Sequence, residues 1–150
     1  MKLFKQGKLS ISTDGGSRGN PGPAAIGFVV GAKKYSESIG HTTNNIAEYR
    51  AIIAALKKAK QLLGKKTAKQ TEIELKTDSE LIYKQVRGEY KILDNDLQIF
   101  FVELWNLKQD FKTVIFKKIP REKNKEADAL VNEALDGKAR NDETGYTRLL

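Results

Sequence analysis

Residues 8–16 read Lys8-Leu9-Ser10-Ile11-Ser12-Thr13-Asp14-Gly15-Gly16. Apolar and polar residues alternate as far as Asp14, which is the pattern of a β-strand with one buried face, and the two glycines favour a tight turn directly after it. The same alternation returns in Thr71-Glu72-Ile73-Glu74-Leu75-Lys76-Thr77-Asp78. Both predicted strands therefore end with an aspartate from the polar face.

Further strands and helices are predicted around these two segments. Turn residues at 20–23 precede two β-rich runs at 24–31 and 34–40. Apolar residues at three- and four-residue spacing predict helices at 45–63, 93–108 and 124–135, with a short helix from Ser79 towards Arg87 and a last strand at 111–119. The order βββαβααβα predicts an α/β protein whose mixed sheet begins antiparallel, continues parallel and is flanked by helices.

The length and composition indicate one globular domain. We expect residues 1–137 to form it and residues 138–150 to be a C-terminal tail, which either docks through Tyr146, Leu149 and Leu150 or frays. The chain has no run of roughly 18 apolar residues, and its N-terminus lacks the apolar segment of an export signal. We therefore expect a cytoplasmic monomer that does not associate with membranes.

The residue types that are missing restrict the chemistry. The chain has no cysteine and a single histidine, His41, which excludes disulfides, thiolate metal sites and zinc sites built on several histidines. A metal would have to bind oxygen ligands, so magnesium or manganese is the natural candidate. The net charge of +8 favours a polyanionic partner such as nucleic acid, although a solvated lysine-rich surface explains the charge equally well.

Four carboxylates are candidate catalytic groups and metal ligands. Asp14 and Asp78 would face one crevice if their strands lie side by side and parallel, because open α/β sheets bind ligands at the carboxyl ends of their strands. Glu48 and Asp128 fall in the predicted first turns of two helices, beside the apolar stripes. Each residue also has a structural interpretation: the aspartates as caps of the turns that follow, Glu48 as half of a capping box with Asn45, and Asp128 as a partner of the helix dipole.

Together the four carboxylates would form an all-oxygen site for two-metal phosphoryl chemistry. In such a site one ion activates the attacking water, the other stabilises the leaving 3′ oxygen, and the ions lie about 4 Å apart.

Four segments of the chain, taken in order, resemble the type 1 ribonuclease H family. They are Thr13-Asp14-Gly15-Gly16-Ser17-Arg18-Gly19-Asn20-Pro21-Gly22-Pro23-Ala24, Thr42-Thr43-Asn44-Asn45-Ile46-Ala47-Glu48, Thr77-Asp78-Ser79 and Asn124-Lys125-Glu126-Ala127-Asp128. The resemblance implies a ribonuclease H-like five-stranded mixed sheet flanked by helices. It also implies an endonuclease, dependent on Mg²⁺ or Mn²⁺, that cuts the RNA strand of an RNA–DNA hybrid and leaves 3′-hydroxyl and 5′-phosphate ends.

The resemblance also implies which residues bind the substrate. Asn20, Asn44 and Asn45 would contact the nucleic acid from the minor-groove side, where the ribose 2′-hydroxyl distinguishes RNA from DNA. Thr43 and Arg18 would lie near the phosphates. Turn and cap chemistry is the competing interpretation of the asparagines.

Three positions depart from the family pattern. Members commonly carry a histidine in the loop before the last helix, whereas this loop reads Pro120-Arg121-Glu122-Lys123-Asn124 and offers only Arg121 or Glu122 as partial substitutes. Position 80 is Glu where many relatives have an amide. The segment 84–97 is too short for the basic helix and loop that some relatives insert, so Lys84, Arg87 and Lys91 would form a reduced basic surface.

Two other functions remain open. The chain could be a hybrid- or duplex-binding module with little or no catalysis, although phosphate binding alone would favour neutral or basic residues over four carboxylates. It could also be a different nuclease or strand-transfer enzyme on the same fold, for example one that acts on double-stranded RNA, because fold does not determine function.

Overall fold

The computed structural model describes residues 7–143, and its centre is a six-stranded sheet in the order β5-β4-β1-β2-β3-β6. The strands are β1 Lys8–Ser17, β2 Gly22–Val30, β3 Lys33–Thr42, β4 Glu72–Thr77, β5 Thr113–Lys118 and β6 Arg140–Asn141. β1, β2, β3 and β6 pair antiparallel, while β4 runs parallel to both β1 and β5. The prediction of a mixed sheet that begins antiparallel and continues parallel is confirmed.

The described residues contain five α-helices, two of which make the main contacts with the sheet. They are α1 Asn44–Leu63, α2 Lys65–Lys69, α3 Glu80–Val86, α4 Asn95–Lys108 and α5 Lys125–Leu135. The short helix α2 was not predicted, because its five residues are too few to show a helical period. None of the helices in this part of the chain has the length and apolar character needed to cross a lipid bilayer.

The main core lies between the sheet and α1. Alternate residues of β1 and β4 point into it, and they meet the apolar side of α1, which is buried along most of its length. The opposite face of β1, β2 and β3 is covered by α5. The two faces of β1 therefore carry different helices, and the polar face that bears Asp14 is the one covered by α5.

Two glycines allow these helices to approach the sheet closely. A Cβ atom on Gly15 would lie 2.3 Å from the carbonyl oxygen of Ala47 in α1, and one on Gly27 would lie 2.7 Å from the carbonyl oxygen of Ala127 in α5. Both distances are shorter than van der Waals contact, so these positions exclude any side chain. Main chain therefore packs against main chain on both faces of the sheet, close to Asp14, which pairs with Gly27.

The predicted turn at Gly15-Gly16 was wrong. β1 continues through both glycines to Ser17, where it pairs with Ala24 of β2. The turn comes later, in the segment that contains the cis Asn20–Pro21 peptide. Asp14 consequently lies inside a continuous strand, at the point just beyond its last pair with β4, Ser12 with Lys76.

The sixth strand extends the sheet beyond the five strands expected. Arg140 and Asn141 pair with Ser36 and Tyr35 of β3, and the Asp142 carboxylate accepts a hydrogen bond from the backbone N–H of Lys34 at 2.8 Å. Two residues give no alternation from which a strand could be predicted. Tyr146, Leu149 and Leu150 lie outside the described residues, and the division into a domain and a tail stays a prediction.

Candidate active site

A cleft of about 480 Å³ lies where β1, β4, α1 and α5 meet. All four candidate carboxylates line it, together with three asparagines, one from the turn after β1 and two from the start of α1. The lining residues include Asp14, Glu48, Asp78, Asp128, Asn20, Asn44, Asn45, Arg18 and Arg121. The cleft therefore contains nearly all the residues that the sequence indicated.

Asp14 and Asp78 reach the cleft from neighbouring parallel strands. Asp78 directly follows β4, and Asp14 is two residues beyond the last residue of β1 that pairs with β4. The two strands thus meet the condition under which the sequence predicted a shared crevice, since they lie side by side and parallel. Ser79 rather than Asp78 caps the next helix, because its hydroxyl accepts the Ile82 N–H at 3.2 Å, so Asp78 is not needed as a cap.

Glu48 and Asp128 reach the cleft from the beginnings of two helices. Glu48 was expected in the first turn of this helix. α1 starts at Asn44, so Glu48 lies in the second turn instead. The capping-box alternative was also wrong, because Thr43 is the N-cap and accepts the Ile46 N–H at 3.3 Å. Asp128 lies in the first turn of α5, as expected.

The site is unfavourable for negative charge. Burial and, after it, the nearby charges of Asp78, Asp128 and Glu48 together raise the pKa of Asp14 from 3.8 to about 8, against a smaller lowering by the Gly15 N–H. Burial is also the main reason that the pKa of Glu48 is raised from 4.5 to about 7, although a Ser79 hydrogen bond and the charge of Arg121 oppose this. Two carboxyl groups are thus held in surroundings that disfavour their ionised forms.

This arrangement makes stability depend on pH. Folding raises both pKa values, so between about pH 4 and pH 8 the native state binds protons that the unfolded chain has released. With metal chelated, we expect the free energy of unfolding to fall as pH rises through this window, by at most about 1.4 kcal/mol per pH unit for each group. Urea denaturation at several pH values would measure this.

The matched comparison is a variant with both Asp14→Asn and Glu48→Gln. Other carboxylates titrate in the same range, so the informative quantity is the difference between the parent and the double variant. That difference should grow from about pH 4 to pH 8 and then level off. Parallel curves for the two proteins would contradict the raised pKa values.

The residues of the cleft fit a divalent cation. All four ligand candidates offer carboxylate oxygen, the donor type that magnesium and manganese prefer. One buried oxygen, Oε2 of Glu48, has no hydrogen-bond partner among residues 7–143. In the same part of the chain, no three His, Cys, Asp or Glu side chains form a metal-binding group as they stand. The four carboxylates thus line one space without converging on a single point.

The three asparagines occupy one side of the cleft. The Asn44 N–H donates to Oδ1 of Asn20 at 3.0 Å, and Oδ1 of Asn44 accepts from the Ser17 N–H at 2.9 Å. These bonds tie the turn after β1 to the start of α1. Asn45 is exposed at the edge of the cleft. Thr43, predicted near the phosphates, uses its hydroxyl as the α1 cap.

The two arginines predicted at the site line the cleft, but their side chains have different partners. Nη1 of Arg18 donates to Oδ1 of Asp136 at 2.7 Å, which holds this guanidinium against the end of α5. Arg121 lines the cleft and its charge acts on Glu48, whereas Glu122 is exposed and is not among the lining residues found. His41 lies at the end of β3 in a separate depression of about 330 Å³.

Two residues near the carboxylates were not singled out from the sequence. Ser79 acts on Glu48 as well as capping α3, and Asn124 donates from Nδ2 to Oδ2 of Asp78 at 3.1 Å. Both belong to the segments quoted above, Thr77-Asp78-Ser79 and Asn124-Lys125-Glu126-Ala127-Asp128. Their place in the same segments as Asp78 and Asp128 was the signal from which a role near the carboxylates could have been predicted. The direction of each side chain could not, because it depends on contacts with residues far away in sequence.

The protein family described as "Reverse transcriptase-like" matches residues 13–134. The chain is 39% identical over 139 residues to the bifunctional protein Rv2228c of Mycobacterium tuberculosis, covering 88% of this chain and 36% of that protein. It is 40% identical over 136 residues to ribonuclease HI of Halobacterium salinarum, covering 87% of this chain and 65% of that one. The chain therefore spans only about a third to two thirds of these relatives.

Among solved structures, LC11-RNase H1 from compost is 45% identical, with a TM-score of 0.81 and coverage of 88% of this chain and 98% of that chain. The same protein in complex with an RNA/DNA hybrid is 43% identical, also with a TM-score of 0.81, over 86% of this chain and 97% of that one. A mixed sheet with an acidic cleft between α1 and α5, superimposing at this level, defines a ribonuclease H-like fold. The chain belongs to the type 1 ribonuclease H family.

Proposed function

We propose that this chain is a ribonuclease H, an endonuclease that uses divalent cations to hydrolyse the RNA strand of RNA–DNA hybrids. The observation that carries the proposal is that Asp14, Glu48, Asp78 and Asp128 line one cleft and that two of them are destabilised as anions. A site that served only to bind phosphate would not place four carboxylates where the ligand sits, because they would repel it. Strained carboxylates of this kind are typical of catalytic sites.

The four carboxylates would hold Mg²⁺, with Mn²⁺ as the expected substitute. Two such ions, when bound, would supply an activated water and stabilise the leaving 3′ oxygen, which gives 3′-hydroxyl and 5′-phosphate ends. Cation binding would also remove the electrostatic cost at Asp14 and Glu48, since both carboxyl groups could then lose their protons without facing uncompensated charge. The chain's own contribution is to fix these oxygens and to shield them from solvent.

The substrate would be recognised beside the carboxylates. Asn20, Asn44 and Asn45 lie on one side of the cleft, and amides suit ribose hydroxyls because they both donate and accept hydrogen bonds. Two of the three amides already use an oxygen within the protein, which leaves their NH₂ groups as donors. The hybrid bound to LC11-RNase H1 supports a hybrid as the substrate here.

Arg121 is the cleft-lining cation whose charge acts on Glu48. It lies in the loop where family members commonly carry a histidine, but it cannot accept a proton, because a guanidinium stays charged. Its role would be to attract the phosphate and to lower the pKa of Glu48. Proton transfer would therefore depend on solvent, with exposed Glu122 as the one carboxylate of that loop segment, 120–124.

Cleavage of a hybrid with labelled RNA is the direct test. With Mg²⁺, the chain should cut the RNA strand and leave the DNA strand intact, and excess chelator should abolish cutting because the nucleophile depends on the cation. Duplex DNA and double-stranded RNA of the same sequence serve as substrate controls. Efficient cutting of double-stranded RNA would change the substrate class, whereas salt-sensitive hybrid binding without cleavage would support a binding module.

A further inference from the structure

Asn124 occupies a buried position between two of the catalytic carboxylates. Its side chain is only 2% exposed, and its Nδ2 group donates both to the carbonyl oxygen of Thr13 at 2.9 Å and to Oδ2 of Asp78 at 3.1 Å. Thr13 immediately precedes Asp14. One amide group therefore connects the main chain next to Asp14 with the carboxylate of Asp78.

The backbone of Asn124 is connected to two further parts of the site. Its N–H donates to the carbonyl oxygen of Arg121 at 3.0 Å, and its own carbonyl oxygen accepts the Asp128 N–H at 3.1 Å. Asn124 thus contacts segments that bear three carboxylates and Arg121. The sheet already joins β1 to β4, and Asn124 adds a link from both strands to the loop before α5.

This arrangement costs stability. Asn124 is at the N-cap of α5, where an asparagine side chain would ordinarily accept an N–H from the first turn, yet it makes no such bond. In addition, its Oδ1 atom is buried without a hydrogen-bond partner among the described residues. Reversing the amide would not help, because Oδ1 would then face two acceptors, the Thr13 carbonyl and the Asp78 carboxylate. A buried polar atom left unpaired calls for an explanation beyond packing.

We propose that Asn124 is a positioning residue that fixes the orientation of the Asp78 carboxylate relative to Asp14, so that both can share the divalent cations. The inference rests on the proposed function. By holding Oδ2 of Asp78 towards β1, the amide would leave Oδ1 of Asp78 directed to the cleft. Hydrogen bonds that orient metal-binding carboxylates contribute strongly to metal affinity.

Asn124→Ser separates this role from a structural one. Serine caps helices as well as asparagine does, so it can supply the α5 cap that Asn124 forgoes, but its short side chain cannot reach both Thr13 and Asp78. We expect the metal-free variant to keep its melting temperature or gain a little. Titration calorimetry with Mn²⁺ should then show affinity reduced about 10-fold or more, and cleavage should need correspondingly more metal.

The matched control is Thr71→Ala. Thr71 is fully buried and donates from its hydroxyl to Thr67, but it precedes β4 while Asp78 follows it, so it lies at the opposite end of that strand. This variant should lose stability and keep the Mn²⁺ affinity of the parent. If Asn124→Ser does not fold, Asn124→Ala removes the donor without adding a charge, and should show the same loss of affinity.

A crystal structure of the metal-free variant provides a readout that needs neither metal nor activity. The Asp78 side chain should adopt more than one rotamer once its donor is gone. Unchanged Mn²⁺ affinity together with a single, parent-like Asp78 rotamer would overturn the inference. Failure of the proposed function would look different, because the parent itself would then show neither Mn²⁺ binding nor cleavage, while the rotamer comparison would still decide whether Asn124 orients Asp78.

Discussion

Asp14→Asn is expected to lower kcat for hybrid cleavage by at least about 10³-fold, equivalent to ~4 kcal/mol of transition-state stabilisation. Asp14 is the carboxylate on which the other three act, because Asp78, Asp128 and Glu48 all raise its pKa. An amide at this position keeps the volume but removes the anion that would join the cations. Single-turnover cleavage of a labelled hybrid at saturating Mg²⁺ measures the effect.

The same substitution should stabilise the metal-free protein. Because the pKa of Asp14 is raised to about 8, ionisation of this carboxyl group destabilises the folded protein. The amide that replaces it would carry no charge and would not have this cost. At pH 8 with chelator, we expect the variant to be more stable by at least about 2 kcal/mol, since each unit by which the pKa is raised corresponds to ~1.4 kcal/mol. Loss of activity with gain of stability is characteristic of a strained functional residue.

Asp96→Asn is the matched control. Asp96 is exposed in the first turn of α4, where its charge interacts favourably with the helix dipole, and it lies outside the acidic cleft. Removing that charge should leave cleavage unchanged and lower stability slightly. An Asp14→Asn variant that retained full activity, or that was destabilised like Asp96→Asn, would contradict the assignment of Asp14.

Gly15→Ala is expected to destabilise the protein by about 3 kcal/mol or more. The added Cβ would lie 2.3 Å from the carbonyl oxygen of Ala47 and 2.7 Å from the nitrogen of Glu48, and both are main-chain atoms. They can move only if α1 moves away from β1. Overpacking in cores commonly costs about 1–3 kcal/mol, and a main-chain clash is less easily relieved than one with a side chain.

Gly16→Ala provides the comparison for this prediction. Its Cβ would find its nearest neighbours at 3.9 Å, the ordinary contact distance, so its free energy of unfolding should change by less than about 0.5 kcal/mol. Urea denaturation of both variants with metal chelated is the measurement. Similar stabilities for the two would mean that α1 does not press on Gly15 as the structure shows.

The elements that the sequence predicted well are those with many periodic residues. The alternation in β1 and β4 predicted both strands and an aspartate at the end of each alternating run, and the apolar spacing of α1 predicted its extent to within one residue. In these segments the local pattern and the tertiary environment agree. The mixed sheet follows from their order along the chain.

Two of the features that the sequence did not predict depend on contacts between residues far apart in sequence. Gly15 was interpreted as a turn residue, whereas its lack of a side chain is required by Ala47 on another element. The direction of the Asn124 amide is set by Thr13 and Asp78, which are 111 and 46 residues away. The start of α1 was misjudged for a local reason, because Thr43 and Asn45 are both acceptable caps.

The glycines at 15 and 27 have a consequence for how such proteins diverge. Because α1 and α5 touch the sheet through main-chain atoms at these two points, a larger residue at either position would displace a helix, and with it Glu48 or Asp128. Glycine at 15 and 27 therefore keeps the two carboxylates borne by helices at their distance from Asp14. We expect sequence divergence to be restricted more strongly at these two positions than at core positions, where Ile, Leu and Val can replace one another.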